Sequence, residues 1–137
     1  MSAEWELQEA LLSKLSSNVA LNDLIVGIYD DVPQEAMSED SSLFPFITVG
    51  DDSHIAWDTD TETGFETIAT IHTWSRHGGK KELKLIQGAI YDALNRQTLN
   101  LKTYTLLDVL FDSSDSFVDS DGITRHGVSK FLIRLEA

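Results

Sequence analysis

Phe65-Glu66-Thr67-Ile68-Ala69-Thr70-Ile71-His72-Thr73-Trp74 is the stretch on which the fold turns. In an extended chain Phe65, Thr67, Ala69, Ile71 and Thr73 point to one side. Glu66, Ile68, Thr70, His72 and Trp74 point to the other. β-branched and aromatic residues run through both sets, which marks a strand. Neither face is fully polar, so the strand is either central in a sheet or covered on both sides in an assembly. Ser75-Arg76-His77-Gly78-Gly79 breaks the extended run. A helix is predicted next, over Lys80–Arg96. Leu83, Ile86, Ile90, Ala93 and Leu94 form its apolar stripe, with Lys81, Lys84, Gln87 and Asp92 outside it.

Toward the N-terminus, Pro45–Val49 reads as a strand opened by proline, Gly50-Asp51-Asp52 as a turn, and His54–Trp57 as a short extended piece. Asp58–Gly64 is a polar tip. Glu4–Ser16 is helical by the spacing of Trp5, Gln8, Leu11, Leu12 and Leu15, with acids at the end that favours them. Asn18 is placed to cap a second helix, Val19–Val26, closed by Gly27. Asp30–Phe44 is an acidic, serine-rich connection long enough to be functional or mobile. Toward the C-terminus come extended stretches Tyr104–Phe111 and His126–Leu135. Between them Asp112–Thr124 reads as a polar loop with a hairpin-forming Asp121-Gly122 pair. In the last strand Phe131, Ile133 and Leu135 alternate with Lys130, Leu132 and Arg134.

The order helix, helix, strands, helix, strands is α+β: a mostly antiparallel sheet packed by one long central helix, with N-terminal helices. At 137 residues it is expected to be a single domain, residues 1–137, large enough to bury its own core. No regular βαβ alternation, repeat or low-complexity tract interrupts that reading.

Composition narrows the function. There is no Cys, which removes thiol catalysis, Cys-ligated zinc and disulfide scaffolds. No apolar run is long enough for a membrane-spanning helix, and the acidic N-terminus MSAEWELQEA is unlike a signal peptide, so a cytosolic origin without membrane insertion is expected. The net charge of −13 argues against a general nucleic-acid-binding surface. Residues 1–75 hold 15 acids and a single base, Lys14, whereas residues 76–137 hold 8 acids and 9 bases. One half is therefore an acidic surface and the other is balanced.

Candidate chemistry is sparse. His54, His72, His77 and His126 show no paired-ligand spacing, and His72 reads as a packed or interface residue. A hydrolase or nuclease built on His72, His77 or His126 would need them to converge with aspartates in a concave pocket. Asp119-x-Asp121-Gly122 falls short of a calcium loop, because Phe117 and Val128 stand where acids are required. Arg76-His77-Gly78-Gly79-Lys80-Lys81 lacks phosphate-loop spacing; a reversing hinge and a basic docking patch remain as readings. Trp57 and Trp74 read first as core, with interface anchoring as the alternative. No catalytic, metal or cofactor-binding residue is assigned.

Four blocks, in order, carry a family resemblance: Gly27-Ile28-Tyr29-Asp30 with Val32-Pro33; Phe44-Pro45-Phe46-Ile47-Thr48-Val49-Gly50; Ile71-His72-Thr73-Trp74-Ser75-Arg76; and Asp121 through Val128 opening the final strand. Together they resemble the tail completion, or tail terminator, family of long-tailed phages and phage-like particles. Phe46 departs from the tyrosine common at its position. The resemblance implies a structural virion protein, not an enzyme, made in the host cytoplasm and placed at the head-proximal end of the tail. It implies a hexameric ring, formed alone or only on the tube, that ends tube growth and meets the head-tail connector. Partners would be other copies of the chain, the tube protein and the connector, with DNA only in passage and no cofactor or membrane. Candidate ring or tube contacts are Trp57, Asp58, Asp60, Arg76, Lys80 and Lys81; candidate acidic lumen or loop residues are Asp112, Asp115, Asp119 and Asp121. Ring neighbours would meet through strand edges or through 58–64 and 112–124. Alternatives are a neck, connector or minor tail protein of similar fold, or a non-viral acidic binding module.

Overall fold

The computed structural model describes residues 2–37 and 41–137. Helix α1 spans Ala3–Ser16, with Ser2 Oγ accepting the Trp5 N–H. Helix α2 is Val19–Asn22, capped as expected by Asn18, whose side chain accepts the Leu21 N–H at 2.9 Å. Strands follow at β1 (Gly27–Tyr29), β2 (Phe46–Val49), β3 (Ser53–Ala56) and β4 (Gly64–Ser75). Then come helix α3 (Lys81–Leu94) and strands β5 (Thr105–Val118) and β6 (Arg125–Glu136). The sheet order is β1-β2-β4-β6-β5, with β3 beside the first half of β4. Among the described residues only β1 and β2 pair in parallel. The architecture is thus α+β with a mostly antiparallel open sheet.

β4 is central, flanked by β2 and β3 on one side and by β6 along its whole length on the other. Its odd-numbered face is buried: Thr67, Ala69, Ile71 and Thr73 lie under the helices with Phe131, Ile133 and Leu135 of β6. The predicted α3 stripe is buried residue for residue, and α3 lies over β4, β5 and β6 while α1 lies over β1 and β2. Leu7, Leu11 and Leu15 of α1 join that core.

Several expectations change. α3 has 14 residues, the same as α1, so two equal helices cover the sheet where one long central helix was expected. On α1 the buried stripe runs through Leu7 rather than Trp5 and Gln8. Trp5 is exposed, and Gln8 Nε2 donates to the Val49 carbonyl. α2 stops four residues short of Val26, because the Val26 N–H donates to the Pro45 carbonyl at 2.7 Å and draws the chain into β1. Gly27 therefore opens a strand and closes no helix. Gln34–Met37 forms a 3-10 turn within the predicted Asp30–Phe44 connection, of which residues 38–40 lie outside the described residues.

The largest change is at 112–124. β5 continues through Asp112 and Asp115 to Val118, so the predicted loop shrinks to a tight turn over 119–124. Two register shifts, between Leu106 and Asp108 and between Phe111 and Ser113, break the period-two pattern that a strand would show. β5 is also an edge strand, where polar residues cost little on either face.

Candidate functional site

The helices cover one face of the sheet. On the other, side chains that are laterally paired across strands share the open surface. One row on it is apolar and half-buried, Ile68 of β4 facing Leu132 of β6, which faces Leu110 of β5; the next row carries Thr70, Lys130 and Ser113, and Val128 lies beyond it. At the Gly64 end, Arg134 Nε donates to Glu66 Oε2 at 3.3 Å and its Nη1 to Asp108 Oδ2 at 3.5 Å. Trp57 lies over the same guanidinium, 5.3 Å from ring centre to Cζ. The ring is 42% exposed, so Trp57 is not a core residue.

At the Ser75 end a single cross-strand row carries Phe46, Trp74, His126 and Phe117. Phe46 is fully buried among Tyr29, Phe44 and Trp74. Trp74 stacks on His126 with centroids 3.9 Å apart and donates its Nε1–H to Thr48 Oγ1. It is half-buried, packed within the row and not in the helix-side core.

The six candidate contact residues divide between the two ends of β4. Trp57, Asp58 and Asp60 lie at its start, and Arg76, Lys80 and Lys81 follow its end. Eleven steps of about 3.3 Å separate those ends by about 36 Å. The acidic tip is built, not loose. The Trp57 N–H donates to the Gly64 carbonyl, the Gly64 N–H to Asp58 Oδ1, and the Thr59 N–H to the Glu62 carbonyl. At the opposite end Lys80 and Lys81 are exposed at the start of α3, and Arg125 opens β6 nearby. Arg76 lies 4.2 Å over the Phe44 ring and donates from Nε to Thr124 Oγ1, so this residue is anchored. Gly79 takes φ +103, a backbone conformation that favours glycine.

The four candidate lumen acids also separate. Asp112 and Asp115 are exposed on β5. Asp121 is turned into its own bend, accepting from Thr124 Oγ1 and from the Ile123 and Thr124 N–H groups. The Thr124 hydroxyl, and then those amides, hold its carboxyl below the usual carboxylate range. Asp119 approaches His126.

Two histidines that sequence spacing kept apart do meet. His72 Nδ1 lies 2.7 Å from His126 Nε2, because β4–β6 register sets the residues on adjacent rungs. Asp51 Oδ2 is 2.6 Å from His72 Nε2, and Asp119 Oδ1 is 3.5 Å from His126 Nδ1. All four ring nitrogens thus face a partner within 3.5 Å. The pair lies on the open sheet face. His77 is elsewhere, in a cleft of about 250 Å³ with Leu24, Lys81 and Leu85. Among the described residues no three His, Asp or Glu side chains are grouped as a metal ion would require, and no helix is long and apolar enough to cross a membrane.

A family model for tail completion protein gp17 matches residues 9–136. The chain belongs to the tail completion protein gp17 family. Within it, the tail completion protein gp17 of Bacillus phage SPP1 is 25% identical over 130 residues, spanning 93% of this chain and 90% of the relative. The solved structure of SPP1 gp17 shares the fold, with a TM-score of 0.59 at 21% identity over 96% of this chain and 89% of that one. A chain in the native gene transfer agent virion is closer in shape. Its TM-score is 0.88 at 20% identity, covering 99% of this chain and 98% of that one. Family membership makes this a phage tail component, a structural virion protein.

Proposed function

We propose that this chain, acting as one domain, forms a ring of six copies on the head-proximal end of the tail tube. The ring ends tube polymerisation and presents the surface that joins the head-side connector. It acts by assembly and carries no catalysis. The observation that supports this reading most is a sheet face that the helices leave uncovered, carrying the apolar row Ile68–Leu132–Leu110 and opposite charges near its two ends, in a member of a tail completion family. A patch of that kind marks an interaction surface.

Neighbouring copies meet head to tail: the Trp57–Asp58–Asp60 tip of one copy against Arg76, Lys80 and Lys81 of the next. A heterologous contact of this sort closes into a ring when the rotation permits. The alternative route through the β5 edge is less suited. The Val109 carbonyl already accepts from the Arg96 N–H, the Phe111 N–H donates to Asn95 Oδ1, and the Asp115 carbonyl accepts from Gln87. These contacts blunt the edge in the way isolated edge strands require. The exposed Asp112 and Asp115 face the DNA path, where like charge keeps the duplex off the wall.

A charge exchange tests the contact. Asp58→Lys with Asp60→Lys should abolish ring formation on tubes, as should Lys80→Glu with Lys81→Glu. An equimolar mixture of the two variants, or all four changes in one chain, should restore it. Rings that form regardless of these charges would remove the head-to-tail arrangement.

A further inference from the structure

The outer row of the sheet, beside β2 and β3, is filled for only part of its length. The even-numbered residues of β4 turn their backbone groups toward this side: the Gly50 N–H donates to the Thr70 carbonyl and the Trp57 N–H to that of Gly64. Ser53, Ile55 and Trp57 therefore bond to β4, while His54 and Ala56 turn their N–H and C=O groups outward. Along β2 the chain meets such outward groups itself. The Pro45 carbonyl accepts from Val26, β1 pairs with Ile47, and the Val49 carbonyl accepts from Gln8 Nε2. β1 then leaves the row after Tyr29. Among the described residues no strand takes its place beside β3, and the outward backbone groups of His54 and Ala56 have no partner. Ile55 is 59% exposed.

Acids bracket this open edge. Asp51 and Asp52 precede β3 and Asp58 follows it. Where β1 leaves, an open cleft of about 400 Å³ is lined by Glu4, Trp5, Asp30 and Asp52, with the Trp5 ring 51% exposed. Asp52 is paired with His54, and among the described residues no Lys or Arg pairs with Glu4, Asp30 or Asp52. A second copy of the chain is a poor occupant. Antiparallel pairing of two β3 edges about Ile55 sets Asp52 of one copy opposite Asp58 of the other, and like charges directly opposite destabilise a sheet. The β5 edge is already engaged at Val109, Phe111 and Asp115.

We propose that the β3 edge takes an extended segment of a different protein as an added strand, with a lysine or arginine of that segment in the cleft against Trp5, Asp30 and Asp52. Main-chain hydrogen bonds to His54 and Ala56 align the segment, and its apolar residues lie beside Ile55. The indole of Trp5 offers a π-face to the cation, and the carboxylates supply its counter-charge. A short edge bracketed by acids thus deters copies of itself and admits a basic strand. The surface stands independently of the ring reading.

The probe is a synthetic peptide of alternating valine and threonine with lysine at both ends, titrated to millimolar concentration into the ¹⁵N-labelled full chain. In the free chain the His54 and Ala56 amides should exchange fast beside a protected Ile55. With peptide both should slow, and the Trp5 indole N–H should shift. The same peptide ended in glutamate should change neither. Ala56→Pro removes an outward N–H that the fold does not use, at an edge position where proline is tolerated. It should keep the wild-type urea midpoint and weaken the peptide about fivefold, the loss of one hydrogen bond. Ala56→Val keeps that N–H and should bind as wild type does. Asp30→Asn with Asp52→Asn leaves the backbone intact and should remove the salt dependence of binding. Amides of His54 and Ala56 that stay unprotected with the lysine peptide, equal binding of the glutamate peptide, or undiminished salt dependence in the Asn variant would overturn the proposal. So would an Ala56→Pro chain that binds as wild type. Protection of these amides that rises with chain concentration alone would overturn it too, since the occupant would then be a second copy.

Discussion

Gly64→Ala is the substitution that most directly couples the fold to the acidic tip. A Cβ built on Gly64 lies 2.5 Å from the Trp57 carbonyl oxygen and 3.2 Å from that of Leu135. Both are backbone atoms, so no side chain can swing aside. β6 holds one flank, with Gly64 paired to Glu136 and Phe65 to Leu135. The β3–β4 connection must therefore move. That movement strains two hydrogen bonds, Trp57 N–H to the Gly64 carbonyl and Gly64 N–H to Asp58. Each contributes about 0.5–1.5 kcal/mol net, and overpacking adds about 1–3 kcal/mol. Loss of glycine's freedom in the unfolded chain returns about 0.4–1 kcal/mol. The expected destabilisation is about 2–4 kcal/mol, a fall in Tm of roughly 10 °C for a chain of this size.

Gly88→Ala is the control. Gly88 lies within α3, exposed, and an added Cβ meets nothing within 4 Å. The same substitution should there stabilise by about 0.5–1 kcal/mol. Urea unfolding followed by tryptophan fluorescence measures both. A Gly64→Ala chain within about 0.5 kcal/mol of wild type, the size of an ordinary surface change, would refute the steric argument. Opposite signs at the two glycines would support it.

Phe46→Ala should cost about 3–5 kcal/mol, because the ring is fully buried against Tyr29, Phe44 and Trp74; chemical denaturation checks this. Trp57→Ala should leave the unfolding midpoint nearly unchanged, since the ring is 42% exposed, yet weaken co-sedimentation with tail tubes. Glu6 gives a pH signature. Its side chain is 3% exposed, and burial acts to raise its carboxyl. The Thr103 and Tyr104 N–H donors outweigh burial and hold it below the ordinary value. A lowered folded-state value means the contribution is present above the unfolded carboxyl range, about pH 4.3, and is lost as pH falls through the folded value. Glu6→Gln should be less stable than wild type at neutral pH, with the gap closing below about pH 4 in urea titrations.

Much of the fold was legible because burial on one face leaves a periodic trace. β4, β6 and the stripe of α3 all bury one clean set of side chains, and each was read residue by residue. β5 beyond Phe111 left no such trace. Its residues are mostly exposed on both faces, and two register shifts break the alternation. The premature end of α2 depends on a hydrogen bond to Pro45, nineteen residues from Val26, which local capping rules cannot anticipate. Trp57 looked like core because large aromatics usually are. Its position beyond the end of β3 leaves it with Arg134 as a cation partner and solvent around it.

The candidate contact residues were chosen from loops and charge, and the fold divides them by sign between the two ends of β4. Their separation follows from strand length, and the length of β4 was nearly right in the sequence reading. The His72–His126 pair was out of reach, since 54 positions separate the residues and only the β4–β6 register unites them. The signal lay in the predicted strands themselves: both histidines fall on the face opposite the core residues.

Native mass spectrometry of the purified chain, alone and mixed with tail tube protein from the same particle, addresses the central claim most directly. The account predicts a sixfold species on tube ends and tubes that stop elongating when the chain is added. A chain that remains monomeric with tube protein at every concentration, and leaves tube growth unaltered, would contradict it.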